Sequence, residues 1–361
     1  MRGETKKQST MLSLRTPEER VPADHPLRRV KDLADGALGA LSGTFDAMYS
    51  RQGRPSIPPE QLLKASLLMA LYSVRSERLF CEQLDYNLLF RWFLDLGMED
   101  ASFDHSTFSA NRQRLLEHEV AKRFFAAVVE QARKSKLMSD DHFSVDGSLI
   151  EAWASLKSFR PKDEGKREPP DDPGNPEVNF RGEKRSNETH ESTTDPDSRL
   201  ARKGDGKEAR LSYSANALME NRNGLLVDLR VEHADGYAER RAAVAMLKSL
   251  RRKKRITVAG DKGFDTSDFV RDCRRLGVTP HVAQTSDYRR RSALDRRTVR
   301  HPGYVVSQRI RKRIEEIFGW MKAVGGFRRT RYRGRDRTQL AAYFVGAAYN
   351  LLRMAKLQAV A

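Results

Sequence analysis

The 361-residue sequence has only two cysteines, Cys81 and Cys273, far apart and with no Cys-x-x-Cys pair or clustered histidines beside them. This excludes the usual patterns of a structural zinc site and of a disulfide framework, and leaves two buried or partly buried thiols in a reducing compartment. No apolar run approaches the roughly 20 residues that span a bilayer, and the opening MRGETKKQSTML lacks the apolar core of a signal peptide. The expectation is a cytoplasmic protein with no membrane partner. Negative charge is also scarce, since 67 Lys and Arg stand against 49 Asp and Glu, a formal +18. A field of that sign attracts polyanions before any specific contact forms, so nucleic acid is the first partner to consider. What is present, 39% hydrophobic residues, can build real cores, and the length suits about two domains.

Residues 1–50 mix charge and turn formers and give no clear pattern. After GRPSIPPE the Pro58-Pro59 pair and Glu60 mark a helix start, followed by the apolar LLKASLLMALYSV. SERLFCEQLDYNLLFRWFLDLG reads as a helix pair ending at Gly97. The next stretch gives a short helix capped near Asp104, then a longer one with Phe124, Phe125, Val128 and Val129 on its apolar side. The short helix carries Asn111, Arg112 and Arg114, types that reach base edges and phosphates from the major groove and that equally finish an ordinary amphipathic helix.

At DHFSVDGSL, Phe143 and Val145 alternate with polar neighbours and a β-containing domain begins. Residues 158–206 are rich in Pro, Gly and charge and nearly free of aliphatic side chains, so they read as a long inserted loop unable to pack a core. Two strand-like runs follow, joined at NRNG, where Asn223-Gly224 signals a hairpin. A helix over YAERRAAVAMLKSLRRKK, a strand over RITVAGDKGF, a helix closed by Gly277 and a strand at VTPHVAQ complete the pattern. That order predicts a mixed sheet with helices on both faces.

Asp146 ends the first strand beside Gly147, and Asp261 ends a later strand just after Gly260. Functional groups gather at the carboxyl ends of strands in open sheets, although an Asp that merely closes a strand is common. RIRKRIEEIFGWMK at 309–322 supplies a third acid. At about 100° per residue, Ile310, Ile314, Ile317, Phe318 and Met321 form one stripe, with Arg311, Glu315 and Lys322 at its rim and Glu316 turned away. Glu315 is thus the acid that reaches the sheet. Three carboxylates with no His or Cys cluster specify hard oxygen ligation, which selects Mg²⁺ or Mn²⁺ over zinc. Two such ions about 4 Å apart suit phosphoryl transfer on nucleic acid.

SVDGSLIEAW, VAGDKGFD and RIRKRIEEIFGWMK together resemble the three catalytic blocks of bacterial insertion-sequence transposases with a DDE triad, in the branch that includes insertion sequence family five. EKRSNETHESTTDPDSRL, LMENRNGLLVD, the AER at 238–240, RTVRHPGYVVSQRIRKRIEE and the helical block from GRPSIPPEQLLKA to ANRQRL carry the same resemblance. It implies an α/β, ribonuclease-H-like catalytic domain over 137–361, interrupted by the loop insertion at 158–206 and preceded by an all-α DNA-end-binding domain over 1–136. It further implies that Asp146, Asp261 and Glu315 are catalytic and hold two Mg²⁺ or Mn²⁺ ions. Arg311 and Lys322 fit the family's Tyr-x2-Arg-x3-Glu-x6-Lys signature as DNA contacts, while Gln308 stands at the Tyr position.

The implied partners are double-stranded DNA, both terminal inverted repeats and target, and a second copy of the chain in the synaptic complex, with the protein on the bacterial nucleoid. The Arg runs YRRRSALDRRTVR and FRRTRYRGRDR bracket the proposed site and are expected to line a DNA-tracking groove. QLAAYFVGAAYNLLRMAKL is expected to pack under the sheet. A metal-dependent structure-specific nuclease and an inactive DNA-binding derivative of a transposase are the alternative readings.

Overall fold

The computed structural model describes residues 15–49, 52, 56–162, 186–204, 206–250, 254–285 and 291–360. MRGETKKQSTML, the middle of the insertion and three residues of the first Arg run, Tyr288 to Arg290, lie outside the described residues.

The stretch before residue 50 is helical where the sequence pattern was mute. α1 (Pro17–Arg20) starts at a reciprocal cap between Thr16 and Glu19, and α2 (Pro26–Gly39) and α3 (Ser42–Met48) follow. α4 (Pro59–Leu71) begins with Pro59 in its first turn, as expected, because a missing N–H is no loss there. α5 (Glu77–Tyr86), α6 (Leu88–Phe93), α7 (Ser106–Glu117) and α8 (Val120–Lys134) complete the block. Lys64, almost fully buried on α4, is held by ion pairs to Asp35 and Asp95, and Lys31 shares both acids.

The sheet is mixed. β1 (His142–Glu151) pairs antiparallel with β5 (Arg210–Glu220), which pairs antiparallel with β6 (Leu226–His233). On its other edge β1 runs parallel to β7 (Ile256–Gly260), and β7 parallel to β8 (Val278–Val282). Pro280 is tolerated in β8 because this strand lies at the sheet edge. α9 (Ala238–Ser249) and α10 (Ser267–Arg275) are the crossover helices. An antiparallel hairpin trio continued by two parallel strands is the ribonuclease-H-like order. The β5–β6 turn is fixed by Gly224 at φ +68° and by the buried carboxylate of Glu220. That carboxylate accepts from the backbone N–H groups of Ser139, Arg222, Asn223 and Leu225 at 2.8 to 3.2 Å.

The insertion departs from the expectation of a plain loop, because its described residues include three short strands. β2 (Phe159–Pro161) pairs with β3 (His190–Ser192), and β4 (Arg199–Ala201) adds to the start of β5. Ser192, Asp195 and Ser198 are buried, and Asp195 accepts from Tyr213 Oη at 2.7 Å and from the Gly334 N–H at 3.0 Å. Hydrogen bonds between small polar groups, not aliphatic burial, order this segment, and a hydrophobicity pattern cannot register them.

α11 (Arg296–Arg300) and α12 (Pro302–Ile310) lead to a 3₁₀ turn (Arg311–Ile314) and then α13 (Glu315–Ala323). The helix expected to run unbroken through the third acid therefore tightens one turn before it, a common mark of a functional bend. Ile314, Ile317, Phe318 and Met321 are nevertheless buried on the predicted stripe. α14 (Arg335–Val360) lies on β6 and also against α2, α4 and α8, so the helical block and the sheet share one continuous core. No described helix is long and apolar enough to cross a membrane.

Candidate active site

Parallel pairing of β1 with β7 runs through Ser144 opposite Ala259 and ends there. Asp146 and Asp261 each stand two residues beyond that last pair, so the register brings them level at the point where the two strands part. Beyond this point β1 stays paired with β5, and β7 with β8 through Gly260 opposite Val282. The opening between the central strands is a notch in the sheet, and helices approach it from outside.

α9 contributes Glu239. A Cβ at Gly147 would stand 2.5 Å from Glu239 Cγ and 2.6 Å from its Oε1, so glycine there is what lets this side chain lie against β1. The 3₁₀ turn and α13 contribute Glu315. Burial, then the negative charges of Asp261, Glu239 and Glu315, push the Asp146 carboxyl up to about 6, against the lowering effect of the Gly147 N–H it accepts at 2.8 Å. Glu239 is also pushed up, by desolvation and then by Asp261. Asp261 caps the 3₁₀ turn Lys262–Phe264 by accepting from the Gly263 N–H at 2.8 Å, and Arg240 on α9 donates to the Gly263 carbonyl at 3.1 Å. Gly260 leaves room for the Phe264 ring, which a Cβ would meet at 3.0 Å.

The two adjacent glutamates separate in role. Glu316 is neutralised by Arg353 at 2.8 Å and by Arg313 at 4.0 Å, whereas Glu315 has no ion pair among the described residues and acts on Asp146 through its charge. The sequence argument reached Glu315 through an ideal helix; the structure reaches it through a 3₁₀ turn.

The charged groups that raise the Asp146 pKa are the carboxylates of Asp261, Glu239 and Glu315, and like charges crowded round a half-buried Asp146 form a field that a hard divalent cation would relieve. The donor set thus fits Mg²⁺ or Mn²⁺ in chemistry. Among the described residues no three His, Cys, Asp or Glu side chains are already gathered at ligating distance.

Basic groups flank the acids. Lys322 Nζ donates to Ser148 Oγ at 2.6 Å, two residues beyond Asp146 on the same face of β1. Burial and the neighbouring charges of Lys203 and Arg328 lower its pKa. Arg311 donates to Gln308 Oε1 at 3.1 Å, and Gln308 Nε2 donates to the His281 carbonyl at 2.5 Å. The residue at the family's Tyr position therefore fastens the helix before the bend to β8.

A buried polar relay secures the same joint. Ser307 Oγ donates to the Gly303 carbonyl at 2.8 Å and also lies 2.9 Å from His142 Nε2 and 2.7 Å from His281 Nδ1. With its single proton on Gly303, Ser307 must accept from both imidazoles. Burial, together with the charges of His142 and His301, holds His281 down to about 4, so it is neutral in the folded chain.

The third group of expected site residues lies elsewhere. Asn111 is buried, donating to the Thr107 carbonyl at 2.9 Å and accepting from Arg114 at 3.0 Å. Arg112 pairs with Glu77 and lies 4.9 Å over the Tyr332 ring, and Arg114 lies 4.7 Å over Tyr49. Arg112 and Arg114 tie α7 to its neighbours, while the Asn111 contacts lie within α7. From the second Arg run, Arg331 donates to the Val74 carbonyl at 3.0 Å, again joining the halves. Glu239 and Lys203 were not among the expected site residues, whereas Arg328 belongs to the second Arg run; only the AER motif pointed at Glu239, and nothing in it indicated which strand it would face.

A family model described as "Transposase domain (DUF772)" matches residues 15–114, and one described as "Transposase DDE domain" matches 183–351, a span holding Asp261, Arg311, Glu315 and Lys322. No curated protein sequence matches the chain. A piggyBac transposase synaptic complex with hairpin DNA is similar at 10% identity and TM-score 0.43, over 93% of this chain and 76% of that one. A Mos1 transposase paired-end complex with left transposon end is similar at 12% identity and TM-score 0.20, over 80% and 86%. Taken with the notch of acids, the two family matches identify the chain as a member of the DDE transposases, the metal-dependent enzymes that cut and join DNA in the movement of insertion sequences.

Proposed function

We propose that Asp146, Asp261 and Glu315 are the three acids of this transposase and hold two Mg²⁺ or Mn²⁺ ions. The observation that supports this most directly is the register: Asp146 and Asp261 are level two residues past the last β1–β7 pair, and Asp146 responds to the charge of both partners. When bound, such a pair of ions activates a water or a 3′-hydroxyl and stabilises the leaving oxygen of the phosphodiester. The chain's own residues orient that chemistry. Lys322 and Arg311 hold the phosphates on either side of the scissile bond, and the Gln308 and Ser307 contacts to β8 and β1 fix the bend that delivers Glu315.

The substrates in this reading are the terminal inverted repeats of an insertion sequence of the family-five type, with the free 3′-ends then joined to target DNA. The helical block over 1–136 binds the ends, and a homodimer forms in the synaptic complex on the nucleoid. The +18 net charge supports broad phosphate attraction. The test is a strand-transfer assay on labelled duplexes carrying the inverted repeats that flank the gene, with Mg²⁺ or Mn²⁺. Joined products are expected; shortened products alone would favour the nuclease, and bound but uncut DNA the inactive derivative.

A further inference from the structure

The first turn of α9 is tied to both strands that form the acidic notch. Arg240 donates to the Gly263 carbonyl at 3.1 Å, and the N–H of the same Gly263 is what the Asp261 carboxylate accepts at 2.8 Å. Glu239, one residue earlier, lies against β1 where a side chain on Gly147 would stand, so close that a Cβ there would meet its Cγ at 2.5 Å. A single helical turn thus grips the loop after Asp261 and covers the residue after Asp146.

Successive residues of a strand face opposite sides of the sheet, so Gly147 looks away from Asp146 and Ser148. Lys322 of α13 meets Ser148, which puts α13 and its Glu315 on the Asp146 side and Glu239 on the other. Within a sheet a neighbouring strand would keep those sides apart. Here β1 and β7 have parted after Ser144 and Ala259, so carboxylates from both sides can meet in the gap. Their charges already act on one another, that of Glu239 on Asp146 and that of Asp261 on Glu239.

An acid in a first helical turn can be there only to face the helix dipole. Asp235 already serves the start of α9, accepting from the Tyr237 N–H at 2.9 Å while paired with Arg241. An acid serving the dipole, moreover, needs no glycine beneath it. Glu239 makes no ion pair or side-chain hydrogen bond among the described residues. The Arg240 guanidinium beside it is engaged by the Gly263 and Gly236 carbonyls and offsets only part of the penalty, since Glu239 stays pushed up. A further carboxylate set beside Asp146 and Asp261 destabilises the metal-free site, and a hard cation is what compensates it.

We infer that Glu239 is a fourth carboxylate ligand of the divalent-ion site, reaching it through the gap between β1 and β7 from the side opposite Glu315, and that residue 147 is glycine to leave it room. The inference rests on the three-acid reading of the site and adds a ligand to it. It is tested by following the melting temperature of the full chain from chelator through increasing Mn²⁺, because an ion that binds the folded chain raises it. The unmutated chain, Glu239→Gln, Gly147→Ala and Asp146→Asn are compared. Glu239→Gln should melt higher than the unmutated chain in chelator, where one like charge is gone. It should need about tenfold more Mn²⁺ for half of the rise, the scale on which loss of a supporting group weakens a metal site, so that the order of the two chains reverses as Mn²⁺ is added. Gly147→Ala, which keeps every acid and displaces Glu239, should also need more Mn²⁺, and it decides the matter if Glu239→Gln fails to fold.

A Glu239→Gln chain that melts lower in chelator and in Mn²⁺ alike, with an unchanged half-rise concentration, would assign Glu239 to the helix start and overturn the inference. An unchanged half-rise concentration in Gly147→Ala would overturn it too. A Mn²⁺ response in Asp146→Asn as strong as that of the unmutated chain would instead sink the three-acid reading, and the fourth ligand with it.

Discussion

Asp146 and Asp261 are level with each other two residues past the last β1–β7 pair, Ser144 opposite Ala259, and the acids therefore owe their meeting to strand register. Asp146→Asn, Asp261→Asn and Glu315→Gln are each expected to abolish nicking of an end duplex while leaving its binding within about threefold, since a carboxylate-to-amide change removes charge and little shape. Glu316→Gln should retain cleavage and cost well under 1 kcal/mol of stability, the usual worth of exposed ion pairs. Gel assays of nicking and binding on the four variants decide this, and equal loss from Glu315→Gln and Glu316→Gln would refute the assignment.

Asp146 also makes the stability of the metal-free chain pH-dependent. Its folded pKa, about 6, lies above the ordinary value near 4, so ionising it disfavours the folded state, by up to about 3 kcal/mol once pH exceeds 6. Asp146→Asn should therefore raise the melting temperature in chelator at pH 7.5, with the gain shrinking as pH falls from 6 toward 4. A gain that stays constant across that range would show the carboxyl to be unshifted.

His281 should act in the opposite sense. Its folded pKa, near 4, lies below the ordinary histidine value, so the unfolded chain binds the proton more readily and stability drops as pH falls from about 6.5 toward 4. His281→Gln should flatten that part of the pH–stability profile measured by thermal denaturation, after a uniform drop from breaking the hydrogen bond to Ser307.

Lys322 places its amine on Ser148, two residues along β1 from Asp146 and on the same strand face. Lys322→Ala should weaken duplex binding and lower the slope of log affinity against log salt by about 0.9, as expected when one phosphate is no longer neutralised by the protein. Fluorescence-anisotropy titrations over a range of salt concentrations measure the slope, and an unchanged value would remove Lys322 from the DNA path.

Glu220 satisfies four backbone N–H groups from a buried position at the β5–β6 turn. Glu220→Ala should cost about 3 kcal/mol or more, because several buried donors are deprived of a charged acceptor together. Chemical denaturation would show a shifted midpoint, and a change under 1 kcal/mol would mean that water replaces the carboxylate.

Much of this molecule could be read from its local chemistry. The alternation of Phe143 and Val145, the Asn223-Gly224 turn and Pro59 at a helix start are short-range signals, and each marks the element it predicted. The apolar stripe of α13 was equally visible, since side chains three and four apart share a face whatever lies beyond it. Sequence could also put Asp146, Asp261 and Glu315 forward together, because carboxylate oxygens are favoured protein ligands of hard cations. It could not set Asp146 level with Asp261, bring Glu239 against Gly147, or engage Asn111 and Arg112 in contacts inside the protein. Those outcomes depend on strand register and on which faces pack together, and most of them are fixed only when segments tens to more than a hundred residues apart close on one another.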